Sequence, residues 1–425
     1  MRIFKFGGAS VKDAKSVLNL VDIIKHFSGE NLWVIVSAMG KMTNRLELVL
    51  DDYYNGIDYT ANLKEVENFH LSILEELFPF RAASIYSEFY ELIDKLKDKL
   101  SKPSSKEYFK EYSTIVSFGE LISTKIVSSI LSESHLENNW IDIRKVIMSD
   151  GGYQQVDVAW EKTQKNIQRI LKADDEKRHP TKLKVTQGFI AANKKNETTT
   201  LGREGSDFTG AVLAWCLNAQ DLTIWKDVPG LMNADPKKFP KAVLLNRISY
   251  REALELSFYG ASVIHPKTIK PLQNKGIPLL VKSFLDPVKN GTIIHEREDN
   301  DVSTPSFISK TDQVLLSISP RDFSMVVEKN ISDLYGIISE IGININLMQN
   351  SALNFSICFD SNDNKLASLK NALNKKYKML YNDRLELLTI RHYTDNLVLE
   401  LLKDRKIILE QRTRQTARFL LQEKH

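Results

Sequence analysis

The chain has 425 residues, which at roughly 150 residues per domain predicts two or three domains. Hydrophobic residues make up 42% and charged residues 26%, a globular composition that excludes a wholly disordered or fibrous chain. The 58 lysines and arginines against 54 aspartates and glutamates leave a charge of +4, which is too slight to indicate nucleic-acid binding. We therefore expect phosphate-binding charge to be local.

The two cysteines, Cys216 and Cys358, lie far apart without the spacing of a metal motif. This argues against a disulfide framework and against a zinc site. The first residues lack a secretory hydrophobic region, and no apolar run approaches the ~20 residues that span a bilayer. We therefore expect a cytoplasmic protein with no membrane partner.

The N-terminal part of the chain alternates strand and helix signals. A short strand at 3–6, the pair Gly7-Gly8 and an amphipathic stretch at 16–27 predict a strand, a glycine turn and a helix. Apolar residues at helical spacing over 60–100 predict an inserted helical bundle. Further predicted strands are 32–37, 140–143, 184–190, 222–225 and 278–281, and further predicted helices are 112–131, 208–217 and 250–259. This order predicts a mostly parallel α/β sheet with helices on both faces.

Near Asn300 the character changes, because 299–301 and 303–305 have the composition of a turn-rich linker, and we place a domain boundary there. Beyond it, strand and helix signals follow the βαββαβ order of a ferredoxin-like fold. The tail from Thr394 has one helix signal and two strand signals, too few for another complete copy. The strand signals before the tail are 314–318, 345–349, 355–359 and 385–390, and the helix signals are 331–341 and 365–375.

The sequence KFGGAS places Lys5 at the end of the first strand and two glycines in the turn that follows. Backbone N–H groups in such a turn suit a phosphate, and glycine permits close approach. Neither GxxxxGK[ST] nor GxGxxG occurs at this turn. Taken alone, the turn leaves phosphate binding and a purely structural tight turn equally open.

Five further blocks accompany this turn: VSAMGKMTN (36–44), VSFGELIS (116–123), TQGFIAANKKNETTTLGREGSDFT (186–209), WKDVPGLMNADP (225–236) and FYGASVIHP (258–266). Together they resemble the aspartokinases. Related kinases that act on glutamate, acetylglutamate or UMP share the glycine turns but not this combination. The resemblance implies a three-layer αβα amino acid kinase domain at 1–298. It also implies MgATP-dependent phosphorylation of the side-chain carboxylate of L-aspartate to 4-phospho-L-aspartate, the first step towards lysine, threonine and methionine.

Phosphoryl transfer to a carboxylate requires two anions to be held in line and their charge to be neutralised. The resemblance assigns this role to Lys5, with Gly7 and Gly8 at the phosphates, and places Asp207 beside Lys5. We do not expect Asp207 to be a general base, because a carboxylate nucleophile is already ionised. The remaining nucleotide-binding positions implied by the resemblance are Lys226, Asp227 and Lys237.

An amino-acid substrate presents an α-ammonium and an α-carboxylate, so its pocket should contain a carboxylate and a guanidinium. Glu120 and Arg203 match the family positions for these groups. Ser37 and Thr43 match its hydroxyl-bearing substrate loop. Mg²⁺ is expected to arrive with ATP and to be held mainly by phosphate oxygens and water, so we assign no metal ligands.

Structural interpretations stay open beside these functional ones. Glu120 is also interpretable as a carboxylate at a helix N-terminus, and Ser206 or Asp207 as a helix cap. His265 has no nucleophile or second ligand nearby in the sequence, which favours a hydrogen-bonded structural histidine.

The sequence departs from the family pattern near the nucleotide. Lys226 stands where Thr or Ser is frequent, Lys237 where Arg is common, Ser262 where a lysine often contacts the nucleotide, and Glu204 where glycine is usual. Two alternatives follow: a ligand-sensing protein whose kinase fold is catalytically impaired, or a related kinase with another acceptor. The retained catalytic and substrate-binding residues argue against the first.

The C-terminal part resembles the ACT domains of aspartokinases, with an ACT-like α+β domain at 306–393 and a shortened second unit at 394–425. Such sheets commonly pair through their edges, so we expect a homodimer. The residues expected to touch an amino-acid effector are Gln349, Asn350 and Ser351. Because 321–330 contains no glycine, we expect inhibition by lysine or threonine to be weak or absent. The length accommodates kinase and regulatory parts without an appended homoserine dehydrogenase.

Overall fold

The computed structural model describes residues 1–80, 84–154, 156–176, 178, 180–261, 264–297, 301, 304–322 and 324–422. They form two compact units. Unit 1 comprises Met1–Leu231, Leu244–Leu254 and Val263–Asp301, and unit 2 comprises Met232–Val243, Glu255–Ser262 and Val302–His425. Ser262 and half of the predicted linker (299, 300 and 303) lie outside the described residues.

Unit 1 is built on an eight-stranded sheet in the order β10-β12-β11-β9-β1-β2-β6-β3. Every neighbouring pair is parallel except β11 and β12, which confirms the predicted mostly parallel sheet. Two small hairpins, β4-β5 and β7-β8, stand beside it. The strands are β1 Arg2–Phe6, β2 Leu32–Val36, β3 Asn138–Ile141, β4 Ser149–Gly151, β5 Val156–Val158, β6 Leu183–Gln187, β7 Ile190–Ala192, β8 Thr198–Thr200, β9 Asp221–Lys226, β10 Arg247–Ser249, β11 Leu279–Ser283 and β12 Thr292–His295.

The helices of the N-terminal part are amphipathic or, at the centre, almost wholly apolar. They are α1 Ala14–Lys25, α2 Met42–Tyr54, α3 Thr60–Leu77, α4 Ser84–Leu100, α5 Tyr108–Glu133, α6 Trp160–Asp175, α7 Gly205–Leu217, α8 Tyr250–Tyr259 and α9 Pro266–Lys275. By length and composition alone, α5 is long and apolar enough to cross a membrane. The expectation that no apolar run approaches the ~20 residues that span a bilayer is therefore wrong. The most apolar window of α5 is 78% buried inside the structure, which accounts for that composition.

The alternation of side chains along β1 determines the face of the sheet on which Lys5 lies. Phe4 and Phe6 pack against Trp225 of the neighbouring β9, and the rings of Phe6 and Trp225 stack with centroids 5.8 Å apart. Successive side chains on a strand point to opposite faces. Lys5 and Lys226 therefore lie on the face opposite these aromatic rings.

Two predicted elements need correction. The glycine turn after β1 enters a short 3-10 helix, Gly8–Val11, that was not predicted. The helix α1 begins at Ala14, two residues before the predicted start, and the Asp13 side chain accepts a hydrogen bond from the Ser16 N–H. The continuous strand predicted at 184–190 is broken, because Phe189 adopts a left-handed conformation (φ 70°) between β6 and β7.

Unit 2 is an antiparallel sheet in the order β14-β15-β13-β16-β18-β17. Its elements are β13 Ser306–Pro320, α10 Glu328–Ile341, β14 Ile345–Asn350, β15 Phe355–Asp360, α11 Asp363–Leu373, β16 Tyr377–Arg391, α12 Asp395–Leu402, β17 Ile407–Arg412 and β18 Thr416–Gln422. The first six elements follow the predicted βαββαβ order. The tail continues the same sheet, because β18 pairs with β16 along its whole length.

Candidate active site

A cavity of about 450 Å³ opens in unit 1 at the carboxyl ends of β1, β2 and β9, where ligands bind in open α/β sheets. We call it the catalytic cavity. Its lining includes all the residues predicted from the sequence to act in catalysis or substrate binding: Lys5, Ser37, Thr43, Glu120, Arg203 and Asp207. It also includes Gly8 and Lys226, which were predicted to bind ATP. Residues far apart in the chain are thus brought to one place.

The charged centre of the catalytic cavity is Asp207, which faces two lysines. Its Oδ1 lies 2.5 Å from Nζ of Lys5 and its Oδ2 lies 3.6 Å from Nζ of Lys226. Burial alone raises the pKa of Asp207, but the two lysines outweigh it and hold that pKa below its usual range. The carboxylate therefore stays ionised and fixes both ammonium groups at the sheet's edge.

The glycine turn comes close to the neighbouring backbone. A side chain at Gly8 would place its Cβ only 2.7 Å from the carbonyl oxygen of Gly40 and 2.8 Å from that of Ala38. The backbone at Gly40 is tied to this turn, because the Gly40 N–H donates to the carbonyl of Gly8 at 3.0 Å. Only glycine fits here, and it keeps the rim between Lys5 and the Ser37 loop narrow.

Glu120 is a buried carboxyl on the wall of the catalytic cavity. Burial raises its pKa to about 8, although the Ala38 N–H donates to it. Its Oε2 has no hydrogen-bond partner among the residues that the structure describes. A buried oxygen left in this state is costly unless a ligand satisfies it, so the site suits a cation such as an ammonium group.

Arg203 stands exposed in the loop between β8 and α7, where its guanidinium is available to a ligand. Ser37 directly follows β2, and its carbonyl accepts a hydrogen bond from the Ser123 hydroxyl at 2.7 Å. Thr43 lies half-buried in the first turn of α2. The two hydroxyl residues therefore lie on the rim, with Glu120 buried and Arg203 exposed.

Two structural interpretations of these residues are wrong. Glu120 lies in the middle of α5, far from the N-terminus, so it does not interact with the helix dipole there. The N-cap of α7 is Glu204, with no side-chain cap, and Asp207 is engaged by the lysines. Glu204 has φ 53°, the left-handed region that favours glycine, which explains why glycine is usual at this position.

Three predicted nucleotide-binding residues do not line the catalytic cavity. Gly7 precedes the 3-10 helix, and a Cβ built on it would be 3.5 Å from Nζ of Lys5. Asp227 is exposed just after β9. Lys237 belongs to unit 2, where its N–H donates to the Asp235 carboxylate at 2.9 Å. Their roles stay predictions.

Sequence reasoning missed Tyr112, which also lines the catalytic cavity. Its hydroxyl donates to Oε1 of Glu47 at 3.0 Å, and burial raises its pKa. No motif marks Tyr112, because it is one aromatic residue in a long apolar helix. His265 is structural, as interpreted: its Nδ1 accepts from the Lys267 N–H at 3.1 Å and caps α9.

In unit 2, the expected effector residues Gln349, Asn350 and Ser351 are exposed at the end of β14. They line a second cavity of about 560 Å³, which also contains Ser317 and Glu410. We call it the β14 cavity. Its lining is mainly amide, hydroxyl and aliphatic groups.

The amino acid kinase family model matches residues 1–283. The chain therefore belongs to the amino acid kinase family. Within that family its relatives are aspartokinases, which confirms the resemblance. The lysine-sensitive aspartokinase 3 of Escherichia coli is 30% identical over 363 residues, covering 84% of this chain and 78% of the relative.

A bifunctional aspartokinase/homoserine dehydrogenase of Arabidopsis thaliana is also 30% identical, over 385 residues, but the chain spans only 42% of its length. Solved structures give the same picture. Escherichia coli aspartokinase III, in complex with lysine and aspartate, superposes with a TM-score of 0.82 at 27% identity, covering 99% of this chain and 95% of that one. The same enzyme in complex with aspartate and ADP gives 0.80 at 26% identity, covering 99% and 96%.

Proposed function

We propose that the chain transfers the terminal phosphoryl group of ATP to the side-chain carboxylate of L-aspartate, forming 4-phospho-L-aspartate. The observation that carries this proposal is the arrangement of Lys5, Asp207 and Lys226 at one end of a cavity that also holds Glu120 and Arg203. The related Escherichia coli enzyme in complex with aspartate and ADP supports it. The reaction would be the first step towards lysine, threonine and methionine.

Each group has a chemical role in this proposal. Lys5, already turned into the cavity by β1, bridges the attacking carboxylate and the transferring phosphate and neutralises charge as it develops. Lys226 supplies a second positive charge from β9. Asp207 takes no proton; it positions both ammonium groups. Glu120 receives the substrate's α-ammonium, and Arg203 grips its α-carboxylate through two parallel hydrogen bonds.

ATP brings Mg²⁺, which we expect to be held mainly by phosphate oxygens and water. Within the described ranges, no three or more His, Cys, Asp or Glu side chains cluster as a metal site would require. The glycine turn at Gly7 and Gly8 and the positions Asp227 and Lys237 complete the proposed nucleotide contacts. A protein with an impaired kinase fold is not favoured, because the catalytic lysines and carboxylate are brought together.

We extend the proposal to regulation and assembly. The kinase domain is assigned to 1–298, an ACT-like domain to 306–393 and a shortened second unit to 394–425, with homodimerisation through the C-terminal sheet and a cytoplasmic location. An effector would bind at Gln349, Asn350 and Ser351. Because a related enzyme is named lysine-sensitive, lysine is the effector to test first, although the glycine-free loop predicts weak inhibition.

The test is ADP release by the full chain with MgATP and L-aspartate, L-glutamate, acetylglutamate or UMP as acceptor. We expect turnover with L-aspartate and little with the others. Turnover with another acceptor alone would assign the chain to a different reaction of the family. Silence with all four would contradict the proposal.

A further inference from the structure

Unit 1 contains a second cavity that is larger than the catalytic cavity. It measures about 810 Å³ and lies between the 3-10 helix Ile143–Lys145, the helix α6 and the hairpin β7-β8. It shares no lining residue with the catalytic cavity. We call it the basic cavity, because its charged lining residues are Arg144, Lys145, Lys162, Lys165 and Arg169, against a single carboxylate, Asp142.

The carboxylate of Asp142 is already paired with Arg144. Asp142 grips Arg144 through both oxygens, with Oδ1 2.9 Å from Nε and Oδ2 2.7 Å from an Nη. Arg144 also donates to the Thr198 hydroxyl at 3.2 Å. Arg144 is therefore a fixed and compensated part of the wall.

The other four cations are only weakly compensated, because Asp142 and Asp150 attract Lys145 and Lys162 through space without pairing with them. Among the residues that the structure describes, Lys145, Lys162, Lys165 and Arg169 have no ion pair. Lys162, Lys165 and Arg169 recur at spacings of three and four on α6, which places them on one helix face. Positive charges three and four residues apart on one helix face repel one another and destabilise the folded protein. A bound anion would reduce this repulsion.

The helix α6, which carries Lys162, Lys165 and Arg169, is anchored by buried side chains and a hydrogen bond. Thr163 and Ile167 on its opposite side are buried. The Asn166 amide, on the cavity side, donates to the carbonyl of Val146 at 3.2 Å. The cationic row is thus fixed against the segment that carries Lys145.

We propose that the basic cavity binds an oligophosphate, either free or as the phosphate end of a nucleotide. Lys162 and Arg169 are seven residues apart, about 10 Å along the helix axis, which exceeds a single phosphate and suits two or three linked phosphoryl groups. Asn196 and Thr198 add neutral hydrogen-bonding groups at the rim. This inference is independent of the proposed kinase reaction.

The test measures tripolyphosphate binding to the full chain by calorimetry, in wild type and in Lys5→Ala, which weakens phosphate binding in the catalytic cavity and leaves the basic cavity untouched. The cavity variant is Lys162→Gln/Lys165→Gln/Arg169→Gln. The matched control is Lys25→Gln/Lys95→Gln/Lys102→Gln, which removes the same charge from exposed, locally paired lysines outside the basic cavity. Citrate and a nucleoside triphosphate are titrated in parallel.

We expect a site that Lys5→Ala leaves intact and whose dissociation constant rises at least about tenfold in the cavity variant and stays unchanged in the control. Lys145→Gln, which leaves α6 untouched, should weaken the same site severalfold and keeps the test valid if the triple variant misfolds. The rate of aspartate phosphorylation should be unchanged in the cavity variant and in Lys145→Gln. Equal affinity in wild type and Lys145→Gln, equal loss in the control, no tripolyphosphate binding to Lys5→Ala, or tighter binding of citrate would each overturn the proposal.

Discussion

The catalytic cavity and the β14 cavity differ in how their polar groups are held. In the catalytic cavity, Lys5, Asp207 and Glu120 are 8%, 3% and 2% exposed, and the pKa values of the two carboxyl groups are shifted in opposite directions. In the β14 cavity, Gln349 and Asn350 have exposed amide side chains, which carry no charge. Buried, perturbed charges are the usual sign of a working site, whereas exposed amides at a strand end serve equally well as solvated surface.

The largest effect should come from Lys5, the most buried cation of the catalytic cavity. Lys5→Ala should lower kcat by about 10²–10³-fold, because its charge matters most in the transition state, while aspartate affinity changes much less. Steady-state kinetics with aspartate and ATP measures this. Lys25→Ala, which removes an exposed side chain at the end of α1, is the control and should leave kcat unchanged. A Lys5→Ala enzyme that folds and works within severalfold of wild type contradicts the assignment.

Arg203 gives the next largest effect. Arg203→Lys keeps the charge but loses the planar fork, so kcat/KM for aspartate should fall about 10- to 100-fold with little change in KM for ATP. Both parameters are read from the same kinetic series. If the two substrates lose affinity equally, Arg203 is a phosphate-binding or structural residue.

Glu120 makes aspartate binding depend on pH. Burial raises the pKa of Glu120 to about 8, so in the free protein near pH 7 the carboxyl is mostly protonated. The α-ammonium favours the ionised form, and binding should therefore release up to one proton. Below pH 8 the affinity should fall by up to about tenfold per pH unit, and above it the affinity should level off.

Calorimetry in buffers of different ionisation enthalpy counts the protons that are released. Glu120→Gln is the matched variant, and its aspartate binding should be weaker and should lose the released proton. Aspartate binding to wild type that is independent of pH between 6 and 8 is the result that would remove Glu120 from the substrate site.

The smallest effect is expected in the β14 cavity. Lysine titrated into the kinase assay should inhibit weakly or not at all, and Asn350→Ala should leave the rate unchanged at every lysine concentration. Micromolar inhibition in wild type that Asn350→Ala relieves would show that this cavity is a working effector site, and the contrast with the catalytic cavity would disappear.

The sequence predicted well what depends on periodicity and on motifs. The strand at Lys5, the helix over 250–259 and the βαββαβ order of unit 2 all follow from patterns repeated over many residues. The residues that we propose act in catalysis were found because each stands in a recognisable block. Their meeting at the carboxyl ends of β1, β2 and β9 follows from the parallel sheet.

What the sequence did not predict depends on contacts that patterns do not contain. The break at Phe189 is one residue in a left-handed conformation within an otherwise regular strand signal. Tyr112 reaches the catalytic cavity only through the packing of α5. The basic row on α6 is visible in the sequence, but the cavity that it lines is not.

The most direct test of the central claim is chemical identification of the product. An acyl phosphate reacts with hydroxylamine, so the full chain with MgATP, L-aspartate and hydroxylamine should form the aspartyl hydroxamate in a one-to-one ratio with ADP. Lys5→Ala should form almost none. Release of ADP without hydroxamate, or hydroxamate formation that Lys5→Ala leaves intact, would contradict phosphoryl transfer to the aspartate side chain in this cavity.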